Sequence, residues 1–303
     1  MTNEFLKNQL NVNWLRPETA LWRSIDSTLI RKHKINAPSL DLGCGNGIHS
    51  FITAGGNFSL DYDSYMNTEL NGFFEENDIY DVCTRNDIVK YITTQSEYKF
   101  TYGLDHKNNL LDQARQLDLY DNLILHDANK KLPFAKNEFQ TVFCNILYWL
   151  DSPEQALQEI HRILKPGGVV LLHIPDIKFK DYCFTYHWKQ DDSGVLKKLN
   201  RGRSESMQWE IVHKEFSNAA KQFGFRIVEH TPYLSKLTLQ MWDIGLRPVS
   251  PYLIEMANKL SLGDRRYIKS RWIDTFYDLL NPLYTMDMND KEGGFHFYVL
   301  EKV

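Results

Sequence analysis

The stretch Leu40-Asp41-Leu42-Gly43-Cys44-Gly45-Asn46-Gly47 constrains this chain more than any other. An apolar run that stops at an aspartate and gives way to alternating glycines reads as a buried strand, a tight loop and the start of a helix. Glycines at that spacing let the backbone approach a ligand that side chains would hold off. The helix beyond presents unpaired N–H groups and a positive dipole end to an anion. Glycine order then discriminates between ligand classes. A dinucleotide fingerprint needs its third glycine at the sixth position, and Ile48 stands there. A dinucleotide or nucleotide-sugar enzyme is disfavoured on that ground.

The rest of the chain extends the pattern. Lys99 to Asp105 is a short apolar strand ending in an acid, followed by a helical segment, His106 to Gln116, with Leu110, Leu111 and Ala114 on one face. A carboxylate at a strand's carboxyl end is placed to accept the hydroxyls of a ribose. Leu123 to Ala128 is a second strand ending in an acid, Asp127, suited to an adenine amino group. Glu138 to Leu147 is a buried strand. Ser152-Pro153-Glu154-Gln155 reads as a capping box with proline at the first helical position. The helix it opens stops at Lys165-Pro166-Gly167-Gly168, and Val169 to Ile174 leaves as another strand.

Block by block, residues 38–176 resemble the small-molecule branch of the class I S-adenosylmethionine-dependent methyltransferases. The resemblance implies a doubly wound, Rossmann-like α/β fold with a seven-stranded sheet, helices on both faces and one antiparallel strand near the edge. It implies S-adenosyl-L-methionine as cofactor. Asp41, Gly43 and Gly45 would lie against its methionine part. Asp105 would lie at the ribose, Asp127 and Ala128 at the adenine, and the backbone carbonyl of Asn145 at the amino group, with His106 also binding the cofactor. In the family the ribose acid usually follows the glycine loop by about twenty residues, and Asp61 or Asp63 is nearer that spacing. Asp105 is preferred because the helix, strand and second acid that should follow it do so.

One methyltransferase domain over residues 1–303 follows, with an N-terminal helical cap (1–36), an insertion after the first strand and helix (56–98), a variable substrate region (177–223) and a helical insertion between the last two strands (234–292). Glu18 to Arg31 is the cap's helix, and Trp14, Arg16 and Trp22 either fold over the cofactor or pack that helix down. Trp209 to Phe223 reads as a helix, Gly224 to His230 as the sixth strand and Phe295 to Leu300 as the seventh. Asp264 to Leu280 has apolar residues at helical spacing. Its face is suited to a pocket roof, a homodimer contact or a membrane surface, with packing on the chain's own core preferred.

At 303 residues, 43% hydrophobic and 13% aromatic, the chain has enough apolar material for a substantial core. A net charge of −4 and an excess of acids in the 58–98 insertion argue against DNA as a partner. No apolar run approaches the roughly twenty residues of a membrane span, and Met1 to Leu15 lacks a signal region. Cys44, Cys83, Cys144 and Cys183 show no paired or metal-type spacing, which suits a reducing, cytoplasmic setting.

Methyl transfer from a sulfonium is an in-line displacement that depends on positioning, and a hydroxyl acceptor also needs a base. The loops after the fourth and fifth strands supply the candidates: His173 and Tyr148 foremost, with Asp176, His187 and Trp149 nearby. Asp191-Asp192 reads as a solvated pair, and no metal is expected. Lys197 to Arg203 is suited to a phosphate or to solvent. The aromatic insertions favour a small-molecule, sugar or glycoconjugate acceptor, methylated on oxygen. Methylation of nitrogen or carbon on a small metabolite, an inactive cofactor-binding partner subunit and an RNA methyltransferase are the alternatives.

Overall fold

The computed structural model describes residues 3–66, 68, 70, 87–187 and 210–303. The acid pairs Glu75-Glu76 and Asp191-Asp192, the cationic run Lys197–Arg203, Cys83, Trp209 and residues 71–86 of the insertion lie outside the described residues. Helices α1 (Glu4–Val12) and α2 (Pro17–Ile30) precede the first strand, β1 (Ser39–Leu42), and helix α3 (Ile48–Thr53). A small hairpin, β2 (Asn57–Phe58) with β3 (Ile92–Thr94), brackets the first insertion. There follow β4 (Phe100–Asp105), α4 (Asn108–Ala114), β5 (Tyr120–Leu125), β6 (Phe139–Cys144), α5 (Pro153–Ile163) and β7 (Leu164–Pro175). Short helices α6 (Lys178–Tyr182) and α7 (Phe184–His187), then α8 (His213–Gln222), lead to β8 (Phe225–Tyr233). The second insertion is α9 (Lys236–Ile244), α10 (Ser250–Asn258) and α11 (Leu262–Asn289), before β9 (Phe295–Lys302).

Seven strands form one sheet in the order β5-β4-β1-β6-β7-β9-β8. The pairs β4–β5, β1–β4, β1–β6 and β6–β7 are parallel, and β9 runs antiparallel to both neighbours. This is the Rossmann-like sheet of the methyltransferase fold, with its single reversed strand next to the edge. Strand periodicity sorts β7 between the two faces. Leu171 joins the core under α1, α2 and α3, while Val170, Leu172 and Ile174 join the core under α5 and α8. Pro153 opens α5, but Ser152 makes no side-chain cap bond, so the expected capping box is not closed. Among the described residues no helix is long and apolar enough to cross a membrane.

The two insertions hold each other. Arg265, near the start of α11, makes a two-pronged contact with Asp63 in the first insertion, Nη2 lying 3.0 Å from Oδ1 and 2.9 Å from Oδ2. Both side chains are buried. One helical turn on, Lys269 donates to the carbonyls of Leu60 and Tyr62. Burial pulls this ammonium down to about 8, because an apolar surrounding disfavours its charged form. Arg266 pairs with Asp61 at the surface. Two of the cations at the start of this helix therefore face inward beside Ile273. Trp14 is buried edge-on against Trp272, and Trp22 packs on Trp242 and Phe295. Both tryptophans thus pack helices together.

Removing one partner of a buried ion pair leaves an uncompensated charge, at a cost of roughly 3–5 kcal/mol. Asp63→Ala should lose stability of that order in urea unfolding while its folded fraction keeps the adenosyl-ligand affinity of wild type. Unchanged stability would show that the clasp contributes nothing.

Candidate active site

The loop after β1 turns on three glycines with left-handed backbone: φ is +81° at Gly43, +55° at Gly45 and +73° at Gly47. L-residues pay for that conformation. The N–H groups of Gly43 and Cys44 both donate to the carbonyl of Leu104, at 2.8 and 3.0 Å, folding the loop back over the end of β4. A Cβ on Gly43 would lie 2.4 Å from the Ile146 side chain, so that glycine is dictated by packing. A Cβ on Gly45 would meet nothing within 4 Å. The loop is therefore open on one side, where a ligand can lie against bare backbone.

Asp105 closes this arrangement. The Gly45 N–H donates to Oδ2 at 2.9 Å, and the Lys107 N–H donates to Oδ1 at 2.9 Å. Each carboxylate oxygen has two lone pairs, so both keep acceptor capacity. His106 stands exposed beside it, Nδ1 3.6 Å from Oδ1. Asp127 falls in the turn beyond β5, part-exposed, its Oδ1 accepting from the Asn129 N–H at 2.9 Å. That backbone bond holds its carboxyl below the usual range. Ala128 is half-buried behind it, and Asn145 is the half-buried residue immediately after β6. The ends of four neighbouring strands, β5, β4, β1 and β6, thus bring these residues into one row.

Asp41 behaves differently from its expected role. It is buried, and its Oδ2 accepts from Ser50 Oγ at 2.6 Å and from the Tyr120 hydroxyl at 2.7 Å. Burial raises its carboxyl to about 6 against the pull of these two donors. It braces β1, α3 and β5 from beneath the loop instead of lying open to a ligand. Tyr120, whose ring also fills the space under Gly47, carries no sequence signal that would have marked it.

A second group of polar side chains lies between α2, α3 and the ends of β6, β7 and β8. Asp26 is fully buried, its carboxyl 3.6 Å from both Arg23 Nη1 and His173 Nδ1. Burial raises it to about 7, with Arg23, Tyr233 and Trp22 lowering it in turn. Those neighbours stand beside the carboxyl without closing a well-formed hydrogen bond on either oxygen. His173 shares Nδ1 with the Tyr233 hydroxyl at 2.6 Å, and burial drives it down to about 3. It is wholly enclosed, so the expectation that it serves as a general base is corrected: the imidazole is uncharged, weakly basic and shut off from the cleft. Tyr148 is also buried, its phenol pushed up by desolvation. His187 is exposed and bonded to the Asp181 carbonyl, while Asp176 is engaged by His296 at 2.6 Å. Arg23, Asp26 and His49 were absent from the sequence reading, because only the α2–α3 packing brings them together.

Residues 80–172 match a family model described as a methyltransferase domain. The chain is 35% identical over 69 residues to a malonyl-[acyl-carrier protein] O-methyltransferase of Enterobacter lignolyticus, covering 22% of this chain and 27% of that one. It is 39% identical over 69 residues to the ubiquinone/menaquinone biosynthesis C-methyltransferase UbiE of Desulfotalea psychrophila, covering 22% and 28%. It is also 32% identical over 90 residues to the mitochondrial arginine-hydroxylase NDUFAF5 of Homo sapiens, covering 29% and 26%. The matches thus span about a quarter of the length of these curated relatives.

Two outcomes follow from this geometry. Gly45→Ala should fold, at a cost of about 1–2 kcal/mol for left-handed backbone, and should weaken S-adenosylhomocysteine binding in calorimetry. Undiminished binding would mean that the open face of the loop is not the ligand's side. Asp26 has its folded pKa raised from 3.8 to about 7. Its contribution to stability is complete below the unfolded value and is lost as pH rises through the folded one. Asp26→Asn should therefore melt higher than wild type at about pH 8, the gap closing towards about pH 4. A gap independent of pH would contradict this.

Proposed function

We propose that this chain, which belongs to the class I S-adenosylmethionine-dependent methyltransferase family, transfers a methyl group to a small-molecule acceptor, on oxygen. The observation that carries the reading is the open backbone over Gly45, facing the Asp105 carboxylate across a 2.9 Å hydrogen bond. Such a cradle suits a ligand with a vicinal diol beside a chain that runs along the loop. Bound there, S-adenosylmethionine supplies an electrophilic methyl on a sulfonium.

The chain's own part is binding and alignment, which can account for much of the rate in a displacement of this kind. Asp105 accepts from the ribose hydroxyls with the lone pairs that Gly45 and Lys107 leave available. Asp127 and Ala128 flank the adenine, and His106 covers the ribose edge. Gly43 and Gly45 lie along the methionine part, and the Asn145 carbonyl accepts from its ammonium. Tyr148, in the turn after β6, stands on the acceptor side. No general base is assigned among the described residues open to the cleft.

Transfer to carbon is the second reading, favoured by the similarity to a C-methyltransferase. A carbon acceptor would carry its own activated position and ask less of a base. The similarity to an arginine-hydroxylase makes binding of the methyl donor the decisive test. Titration calorimetry should give a measurable affinity of wild type for S-adenosylhomocysteine and loss of it in Asp105→Ala. A ligand at one hundred times its dissociation constant should also add about 2.7 kcal/mol of stability. Folded wild type that binds none would overturn the assignment.

A further inference from the structure

A cluster of imidazoles gathers at the β9–β8 edge of the sheet, on the face that α8 covers. His213 is the first residue of α8, His230 lies in β8 and His296 in β9. His296 Nε2 lies 2.6 Å from Asp176 Oδ2, just past β7, and its Nδ1 lies 2.9 Å from His230 Nε2. His213 stacks on His230 with ring centroids 3.8 Å apart and planes 10° from parallel. Its Nδ1 lies 2.7 Å from the Tyr298 hydroxyl. His213 is exposed, and both rings line a cavity of about 760 Å³, so protons reach the cluster from solvent. Beside it, Ile211 ties the lead-in of α8 to the end of β7. The Ile211 N–H donates to the Pro175 carbonyl at 3.0 Å, and its carbonyl accepts from the Ile177 N–H at 3.1 Å.

The bonds fix where the protons sit. Burial opposes the charge of Asp176, but bonds from His296 and the Lys178 N–H hold its carboxyl below the usual range. An ionised carboxylate only accepts, so His296 donates from Nε2. With neutral rings, His296 Nδ1 then accepts, His230 donates to it from Nε2, and the lone pair of His230 is left on Nδ1. One added proton fits. It enters at His230 Nδ1, the Nε2 proton passes to His296 Nδ1, and the cation rests against Asp176. A second does not fit. On His230 it would set two N–H groups against each other across 2.9 Å. On His213 it would put a second cation in a ring 6.1 Å from His296 and stacked on His230. The surrounding charges offer little relief. Lys221 and Arg226 line the cavity, Arg226 pairs with Glu301, Lys178 with Glu292 and Lys180 with Glu210. Lys214 and Glu215 are exposed, Glu229 is beside His33, and burial pushes the Tyr298 phenol up, so it stays neutral.

We propose that His213, His230 and His296 form an acid-operated latch, which clasps the start of α8 and the end of β7 to the β8–β9 pair near neutrality and releases them in mild acid. Histidine clusters are suited to this because their charge changes in that range. Linkage gives the direction. Burial lowers His230 to about 4 and lowers His213 as well, the neighbouring imidazoles adding to both, whereas a freed imidazole returns to about 6.5. The open form therefore binds more protons between about pH 6.5 and 4, so the latch is intact above that window and weakens as pH falls through it. Each imidazole freed should favour opening by about 10-fold at about pH 5.5 relative to about pH 7.5.

The test is amide hydrogen exchange on the intact chain, read by mass spectrometry at about pH 7.5 and about pH 5.5 and corrected for the intrinsic effect of pH on exchange. In wild type, residues 175–178 and 211–216 should open about 10- to 100-fold more at the lower pH, while residues 100–105 of β4 keep their protection. His213→Phe keeps a ring in the stack and removes one proton site. His230→Gln keeps an amide donor towards His296 and removes another. Either change should cut the response by up to about 10-fold, and the double variant should abolish it. If the double variant does not fold at about pH 7.5, His213→Gln at the exposed position takes its place and should show the reduced response. The latch is overturned if wild type is equally protected at both pH values, or if the variants respond as wild type does. It is also overturned if residues 100–105 open in step, since acid would then be unfolding the whole sheet. No adenosyl ligand enters the measurement, so its outcome is separate from that of the methyltransferase reading.

Discussion

Everything in the candidate site depends on how the loop after β1 is tied to the end of β4. Two successive N–H groups share the Leu104 carbonyl, and the next glycine donates to the Asp105 carboxylate. Those bonds do three things together. They satisfy backbone donors that would otherwise be orphaned at a strand end. They fix the carboxylate relative to the loop without using up its lone pairs. They also force left-handed backbone at positions where only glycine is cheap. A parallel β1–β4 pair is the precondition, because only adjacent, co-directional strands put Leu104 and Asp105 beside Gly43 and Gly45.

The described part of the first insertion is anchored away from this clasp. Asp63 and Asp61 are committed to Arg265 and Arg266, and Lys269 takes the carbonyls of Leu60 and Tyr62 beside them. Buried pairs of this kind seldom add net stability over an apolar alternative, yet are costly to break. Their effect is to fix where two excursions from the sheet meet. The acids nearer the usual spacing from the glycine loop are thereby spent on structure, and Asp105 alone of these three stands at a strand end next to β1.

Much of this architecture was legible in the sequence because its signals are local. The apolar runs at Leu40, Phe100, Phe139 and Val169 and the proline at the start of α5 mark elements from a few neighbouring residues. The reversed strand near the edge came with the family resemblance that the ordered blocks carry. What the sequence did not disclose is long-range. Asp41 looks the same on paper whether it faces a ligand or, as here, Ser50 and Tyr120. His173 reads as a base until β7 turns its side chain towards α2, Asp26 and Tyr233. Ser152 has the right type for a cap but not the bond. The inward Arg265 and Lys269 read as surface cations because their partners lie some two hundred residues away in sequence.

The family match covers residues 80–172, which include Asp105, Asp127, Asn145 and Tyr148 but neither the glycine loop nor Asp26 and His49. The polar group around Asp26 draws on α2, β7 and β8. A buried carboxyl without a well-made hydrogen bond and a buried imidazole N–H without a partner are both expensive. Both groups stand before the matched region, so these costs belong to the part of the chain that the family match does not reach.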